Sequence, residues 1–364
     1  MRAVRPWAWP LVPVYGAVLA VKDWAFRRGW LRVGRLESPV ISVGSVSAGG
    51  AGKTPVVLAL AELLVREGIA VRVLSRGYGR SGDSVERVDP EGDAGRFGDE
   101  PLLLARRMPE GGAVYVGANR FAAGRLAERE SARSFGKTAV SGATPAVMSP
   151  TEQETQARLP AQAPAIARVG FVLDDGFQHR RLGRDLDVVL VTQRDVEDCL
   201  LPAGNLREPL QAIRRADVVV VREDETAAVM GMVGRICSAR MPEIWVIRRR
   251  LEVDALPSRV VVFSGIARPE GFVSMLAGAG CLPVGEVRFR DHHRYGDEDV
   301  ERLVAEARRV GADGFCTTEK DWVKLTPRFL AQLETVGPVQ VAELRVEWVD
   351  EAAVMDRLRG LWRA

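Results

Sequence analysis

Between residues 40 and 240, short apolar runs alternate with stretches whose apolar positions recur at helical spacing. Val40–Val43, Val71–Ser75, Ala113–Val116, Val169–Leu173, Asp187–Val191 and Val218–Val221 are rich in β-branched residues, which predicts buried strands. Pro55–Glu67 and Asn119–Glu130 carry the helical stripe. Strands that are apolar throughout, with helices between them, predict a parallel sheet covered on both faces. An extended stretch at Ile244–Leu256 follows, and then the pattern resumes with strands predicted at Val260–Phe263, Val284–Arg290, Gly314–Thr317 and Val339–Val346. The chain is long for one core, so two α/β/α sandwich domains are expected. The larger covers 36–243 and the smaller 257–364, joined by an extended, two-stranded linker at 244–256. Ser131–Ala165 is rich in small and polar residues without periodicity, and reads as a mobile surface insertion.

Residues 1–35 stand apart. Leu11–Val21 is apolar, with Arg2 and Arg5 before it, Lys22, Arg27 and Arg28 after it, and Trp7, Trp9, Trp24 and Trp30 at its flanks. It falls short of the roughly 20 residues that span a bilayer as a helix. Pro10 and Pro13 interrupt it too much for the apolar core of a signal peptide. Tryptophan and arginine at both ends fit a segment lying in a membrane interface. A helix packed on its own domain is the competing reading.

Composition narrows the class. A net charge of +3 without a long basic run gives no reason to expect a nucleic-acid partner. Among 51 cations only Lys22, Lys53, Lys137, Lys320 and Lys324 are lysine. In so arginine-rich a chain, a lysine hints at a position that wants a compact point charge. Cys199, Cys237, Cys281 and Cys316 are too scattered for a zinc site or a disulfide framework, which fits a reducing compartment.

The chemistry begins after the first predicted strand, with Gly44-Ser45-Val46-Ser47-Ala48-Gly49-Gly50-Ala51-Gly52-Lys53-Thr54-Pro55 and then a helical pattern. Strand, glycine-rich turn and helix start are the setting of a phosphate-binding loop, where backbone N–H groups and the helix terminus receive the anion. Ser47, Ala48, Gly49, Gly50, Ala51 and Gly52 would form the cradle. Lys53 would reach the β- and γ-phosphates of ATP, and the Thr54 hydroxyl would ligate Mg2+. Ser47 stands where the strict pattern has glycine. A second Gly136-Lys137-Thr138 has no strand before it and is a chance match.

Gly170–Gly176 is an apolar strand ending in Asp174 and Asp175, the place of magnesium-holding carboxylates in phosphate-loop proteins, although a turn of solvated aspartates has the same look. Gln178 and His179 follow at once. Asp99, taken alone, reads as a helix cap. Arg207 and Glu208 could be a loop ion pair. His292 and His293 end a predicted strand and could be a base, a metal pair or a plain polar strand end.

Together these strings resemble the tetraacyldisaccharide 4'-kinase family of lipid A biosynthesis. The likeness is carried in order by Ser47–Pro55, Ser75–Gly79, Gly98–Pro101, Asp174–Arg180, Leu201–Pro209, Phe263–Pro269, Asp291-His292 and Thr317–Asp321. It implies a P-loop kinase domain followed by a smaller α/β domain, with the site in the cleft between them. The reaction implied is transfer of the γ-phosphate of ATP to the 4'-hydroxyl of a tetraacylated glucosamine disaccharide-1-phosphate, at the cytoplasmic face of the inner membrane. The resemblance gives Lys53 and Thr54 to ATP and Mg2+, and makes Asp175 and Glu208 magnesium contacts. Asp99 supported by His292 becomes the base. Tyr78, Arg120, Gln178, His179 and Arg207 become contacts to substrate or phosphate. The expected partners are the acylated lipid and a membrane surface at residues 1–35, with a monomeric chain. The alternative is a P-loop nucleotide switch or partitioning-type ATPase. Thr318-Glu319-Lys320-Asp321 lacks the spacing of a guanine motif, and a switch gives the second-domain histidines no purpose.

Overall fold

The computed structural model describes residues 5–140 and 168–363, with the side chains of 134–140 left aside. Twelve strands among these residues form one sheet. They are β1 (Val40–Ser45), β2 (Ile69–Ser75), β3 (Glu86–Arg87), β4 (Ala113–Val116), β5 (Arg168–Asp174) and β6 (Leu186–Leu190), then β7 (Val218–Arg222), β8 (Glu243–Glu252), β9 (Val260–Ser264), β10 (Gly285–Arg288), β11 (Gly314–Thr318) and β12 (Val339–Trp348). The order across the sheet is β10-β9-β11-β12-β8-β7-β6-β1-β5-β2-β4-β3.

In the first lobe β1 lies between β5 and β6, parallel to both. The chain builds outward from β1 in both directions, so the end of β1 is a topological switch point, where open α/β sheets take their ligands. Every residue of β1 and of β6 is buried, as strands covered on both faces require. The second lobe repeats the design with β10, β9, β11 and the first half of β12 in parallel.

The lobes join through two shared strands. The first half of β8 pairs in parallel with β7, and its second half runs antiparallel to β12 from Ile247↔Trp348 to Glu252↔Glu343. The extended stretch predicted at 244–256 is thus a strand, and its partner is the second half of a run predicted to serve the smaller domain alone. The crossing is held by cross-strand ion pairs, Arg345 Nε to Glu252 Oε2 and Arg250 Nη1 to Glu347 Oε1, both 3.1 Å.

Nine longer helices among the described residues are α1 (Val12–Arg27), α2 (Lys53–Arg66), α3 (Asp99–Arg107), α4 (Arg120–Val140), α5 (Thr226–Ile236), α6 (Pro269–Gly278), α7 (Asp297–Val310), α8 (Pro327–Leu333) and α9 (Glu351–Gly360). The final helix, α9, returns to the first lobe, where Val354, Met355 and Leu358 join the same apolar core as Leu60, Leu63 and Leu64 of α2. Trp362 Nε1 then donates to Val169 O at 3.3 Å.

Two sequence expectations change. The helix predicted to stop at Glu130 runs on through Val140, because Ser131 is buried and its hydroxyl accepts from Arg72 Nε at 2.9 Å. Gly136-Lys137-Thr138 therefore lies on a helix, and only 141–165 of the proposed insertion falls outside the described residues. The amino-terminal apolar run forms a 3-10 turn, Pro6–Leu11, followed by α1 with Pro13 in its first turn. No residue of α1 is buried. One side is tied to the body through Tyr15 Oη to Arg207 O (2.9 Å) and Asp23 to Arg180 (2.6 Å). Leu11, Val14, Val18 and Val21 make an outward stripe.

Candidate active site

A cleft of about 1050 Å³ lies between the lobes, at the switch point. Its floor is the turn from β1 into α2. Gly49, Gly50 and Gly52 all have positive φ (73°, 63° and 85°), conformations in which a side chain is strained, so glycine is required by the backbone path. Ala48–Thr54 line the cleft, whereas Ser47 does not. Ser47 is fully buried beneath the loop, its carbonyl accepting from Ser45 Oγ at 2.8 Å and its backbone bridged to Leu206. The residue in the place of the first glycine anchors the root of the loop and is not part of the cradle surface.

Lys53 opens α2 and points across the end of β1, with Nζ 3.2 Å from Asp175 Oδ1 and 3.4 Å from Ser45 Oγ. Register explains the meeting, because Val43 of β1 lies opposite Asp174 of β5. Asp174 accepts from Ser75 Oγ at 2.9 Å, and Asp175 has φ 51°, an unusual value outside glycine that turns it off the strand end. Burial, then the neighbouring Glu100 and Asp175, push the Asp174 carboxyl up to about 7. Burial also opposes ionisation of Asp175, but Lys53 and Arg207 outweigh it and hold that carboxyl below its usual range. Arg207 Nη1 donates to Asp175 Oδ2 at 2.5 Å.

Glu208 departs from the expected metal set. Its carboxylate accepts from Arg215 Nη2 at 2.5 Å, and it is not among the cleft-lining residues. The antiparallel bridge that anchors Leu206 to Ser47 puts Arg207 on the cleft side, and its neighbour turns the other way.

The opposite wall brings the two lobes together. Gly98, at φ 91°, caps α3, so Asp99 is the first residue of the helix and not its cap. Its Oδ1 accepts from Glu100 N at 3.0 Å, and its Oδ2 lies 2.8 Å from Nδ1 of His292. His292 sits at φ 58° in the loop after β10, a second strained residue at the site. The hydrogen bond to Asp99 raises the proton affinity of His292, against burial and Lys320. Asp99 is buried, which opposes ionisation, yet His292 and Lys320 keep its carboxyl below the ordinary value. His293 faces away, its Nε2 2.9 Å from Asp299 Oδ2 at the start of α7, so the two histidines are not a pair.

The remaining expected contacts also line the cleft. Tyr78 is 68% exposed, its ring 5.6 Å from that of His292. Gln178 Nε2 donates to Ser45 O at 2.9 Å. Arg120 is buried, which with Arg76 nearby lowers its pKa to about 10 and leaves it charged. Burial, then Arg120, Arg184, Lys22 and Arg181, bring His179 down to about 4, so it is neutral near pH 7. This corner is strongly cationic and suits an anionic ligand.

Sequence reasoning gave no role to several residues that close the cleft. Arg268, just before α6, lies across the phosphate loop, where a Cβ on Gly50 would come within 2.8 Å of its Nε. Glu319 accepts from Arg107 of α3, and Arg294 Nη2 donates to Gly79 O at 2.8 Å. Lys320 meets Glu100 at 3.1 Å. The signal for Lys320 was present in the scarcity of lysine, while the others are arginines in an arginine-rich chain.

Comparison with known proteins identifies relatives of the whole fold. The family description "Tetraacyldisaccharide-1-P 4'-kinase" matches residues 4–363. The tetraacyldisaccharide 4'-kinase of Koribacter versatilis is 36% identical over 360 residues, covering 96% of this chain and 97% of that protein. That of Geobacter metallireducens is 36% identical, covering 92% of each chain. The crystal structure of LpxK from Aquifex aeolicus in complex with ATP superposes with a TM-score of 0.71 at 27% identity, covering 97% of this chain and 98% of that one. With its full length matched and its motifs gathered into one cleft, the chain belongs to the tetraacyldisaccharide-1-phosphate 4'-kinase family.

Proposed function

We propose that this chain transfers the γ-phosphoryl group of ATP to the 4'-hydroxyl of a tetraacylated glucosamine disaccharide-1-phosphate, and that Asp99 and His292 accept the hydroxyl proton. The observation that carries the reading is the 2.8 Å contact between these two side chains, one from each lobe, in the cleft floored by the phosphate loop. A sugar hydroxyl is a poor nucleophile until a neighbouring acceptor takes its proton. As the 4'-oxygen bonds to the γ-phosphorus, the bond from that phosphorus to the β-bridging oxygen breaks, ADP leaves, and the proton passes to the dyad. Lys53 and the loop amides hold the phosphates, and closure of the lobes excludes water that would otherwise take the phosphoryl group.

Thr54, Asp174 and Asp175 supply the hard oxygen donors that suit Mg2+, which ordinarily keeps waters and substrate phosphates for its other positions. Buried Asp174, crowded by Glu100 and Asp175, has the electrostatics that a divalent cation relieves. Bound there, Mg2+ would neutralise charge on the phosphates. Tyr78, Arg120, Gln178, His179 and Arg207 are the proposed contacts to acceptor and phosphates.

The lipid acceptor is proposed to arrive from the cytoplasmic surface of the inner membrane. Supporting this, Trp7 and Trp30 are 75% and 69% exposed before and after α1, and Lys22 in the second half of that helix lines the cleft. No helix among the described residues is long and apolar enough to cross a membrane. A surface-lying segment is therefore the form of attachment proposed.

The test is label transfer from γ-³²P-ATP to a tetraacylated disaccharide-1-phosphate in detergent micelles. A labelled lipid is expected, abolished in Lys53→Ala. ATP hydrolysis that ignores the acceptor, with no lipid product, would favour a nucleotide switch.

A further inference from the structure

Lys320 is one of five lysines in a chain that otherwise uses arginine, and it lies in the cleft wall. It follows β11 on the single helical turn Glu319–Trp322, which Thr318 caps by accepting from Asp321 N. Its backbone is thereby fixed. Its side chain is 20% exposed, and its Nζ lies 3.1 Å from Glu100 Oε1, 3.6 Å from Asp291 Oδ1 and 3.3 Å from His292 Nε2.

An ammonium group has three N–H donors and no lone pair. Its approach to Nε2 makes that nitrogen the acceptor, which leaves the ring proton on Nδ1, where Asp99 Oδ2 receives it at 2.8 Å. The ammonium is within hydrogen-bond distance of Glu100 and His292 Nε2, with the Asp291 carboxylate at ion-pair distance. Arginine, whose planar guanidinium spreads its donors from a three-methylene stem, does not converge on these groups from one point.

We propose that Lys320 is a positioning residue of the proton-accepting pair: by donating to His292 Nε2 it fixes the imidazole as the Nδ1–H tautomer directed at Asp99, and its bond to Glu100 ties that arrangement to closure of the lobes. Lys320 and His292 belong to one lobe, Asp99 and Glu100 to the other. Lys320 has this role only if Asp99 and His292 accept the hydroxyl proton as proposed above.

The groups facing His292 are Asp99 from α3, Asp291 beside it, Tyr78 from the first lobe and Lys320, with Glu100 behind Lys320 and Lys324 acting on Asp99. Lys324 is paired with Asp321 at 2.7 Å, so Lys320 is the cation in contact with the ring. Without it, carboxylates dominate the surroundings and the ring takes a second proton more readily. A doubly protonated ring loses the bond from Lys320 and, as a full cation 2.8 Å from Asp99, makes that carboxylate a weaker acceptor for the hydroxyl proton.

The unaltered chain is assayed first for acceptor-dependent phosphoryl transfer. Its absence would defeat the kinase reading, and this inference with it. Given transfer, Lys320→Met is expected to lower kcat by about 10-fold or more near neutral pH, with the acid limb of the kcat–pH profile moved to higher pH. KM for ATP should change by less than roughly twofold, since Lys320 does not touch the phosphate loop. An unchanged kcat, or a loss equal at every pH, would overturn the proposal. A second measurement needs no lysine variant. The ¹⁵N imidazole spectrum of the unaltered protein, saturated with Mg2+ and a non-hydrolysable ATP analogue, should show His292 as the Nδ1–H tautomer, its signal identified by loss in His292→Asn. An Nε2–H tautomer would overturn the proposal however the lysine variant behaves.

Discussion

Asp99 shows how a residue's role escapes local sequence. Acidic residues at helix starts are ordinarily caps, but here Gly98 takes the cap position with φ 91°, and the Asp99 carboxylate is left to face a histidine 193 positions away. Nothing in the sequence around either residue encodes that meeting, which is why the dyad entered by resemblance and not by spacing. Lys53 and Thr54 were legible because strand, glycine turn and helix are contiguous. The hydrogen bond His292 donates to Asp99 raises the pKa of the imidazole above its ordinary 6.5, against burial and the adjacent Lys320. A protonated ring leaves Asp99 the weaker base, so kcat should rise with pH along an acid limb set by His292, displaced upward from that of a free imidazole. In His292→Asn that limb should move to lower pH, since the carboxylate of Asp99 alone then titrates, and kcat should fall by roughly 10²–10⁴. A limb that stays in place would separate His292 from proton transfer.

The strands were the most readable elements, because burial on both faces leaves unbroken apolar runs such as Val218–Val221. The shared strands were legible only as an extended, two-stranded linker, without the partner of β8 named. Beyond Ile247, β8 has no buried residue and alternates exposed with half-buried positions, and its charged residues pair with those of β12, so its hydrophobic pattern fades where the lobes meet. Between β1 and the turn after β5 the approach is close: a Cβ on Gly44 would lie 2.5 Å from Phe177 Cβ and 2.7 Å from Phe177 N. Gly44→Ala should therefore destabilise the fold by about 1–3 kcal/mol, read from the midpoint of urea unfolding, with Lys53 and Asp175 drawn apart as a consequence. For α1 the expectation is selective. Replacing Trp7 in the preceding turn, Val14 and Val18 with serine should abolish sedimentation with anionic vesicles while leaving transfer to a micellar acceptor within about twofold, because all three side chains are exposed. Equal vesicle binding by the variant would remove the membrane role from this helix.

At the scale of the molecule, the sheet is continuous but the chemistry is divided. The phosphate loop, the two carboxylates of the β5 end and Asp99 come from one lobe; His292, Arg268 and Lys320 come from the other. The Arg107–Glu319 and Lys320–Glu100 ion pairs and the bond from Arg294 to Gly79 O all cross the cleft beside the dyad. The α/β class and ten of the twelve described strands were legible in the sequence, while the short edge strand β3 was not predicted and β8 was read as a linker. The return of α9 to the first lobe was not, since an apolar stripe does not name the core it joins.

The central claim is that Asp99 and His292 act as one unit assembled across the cleft. A double-mutant cycle of Asp99→Asn and His292→Asn, read as kcat for γ-phosphoryl transfer to the acceptor, tests it most directly. Residues that share one task are not additive. The double variant is expected to be no slower than the slower single variant by more than about threefold. A double variant whose loss equals the product of the two single losses would mean that the residues act independently, and would contradict the account.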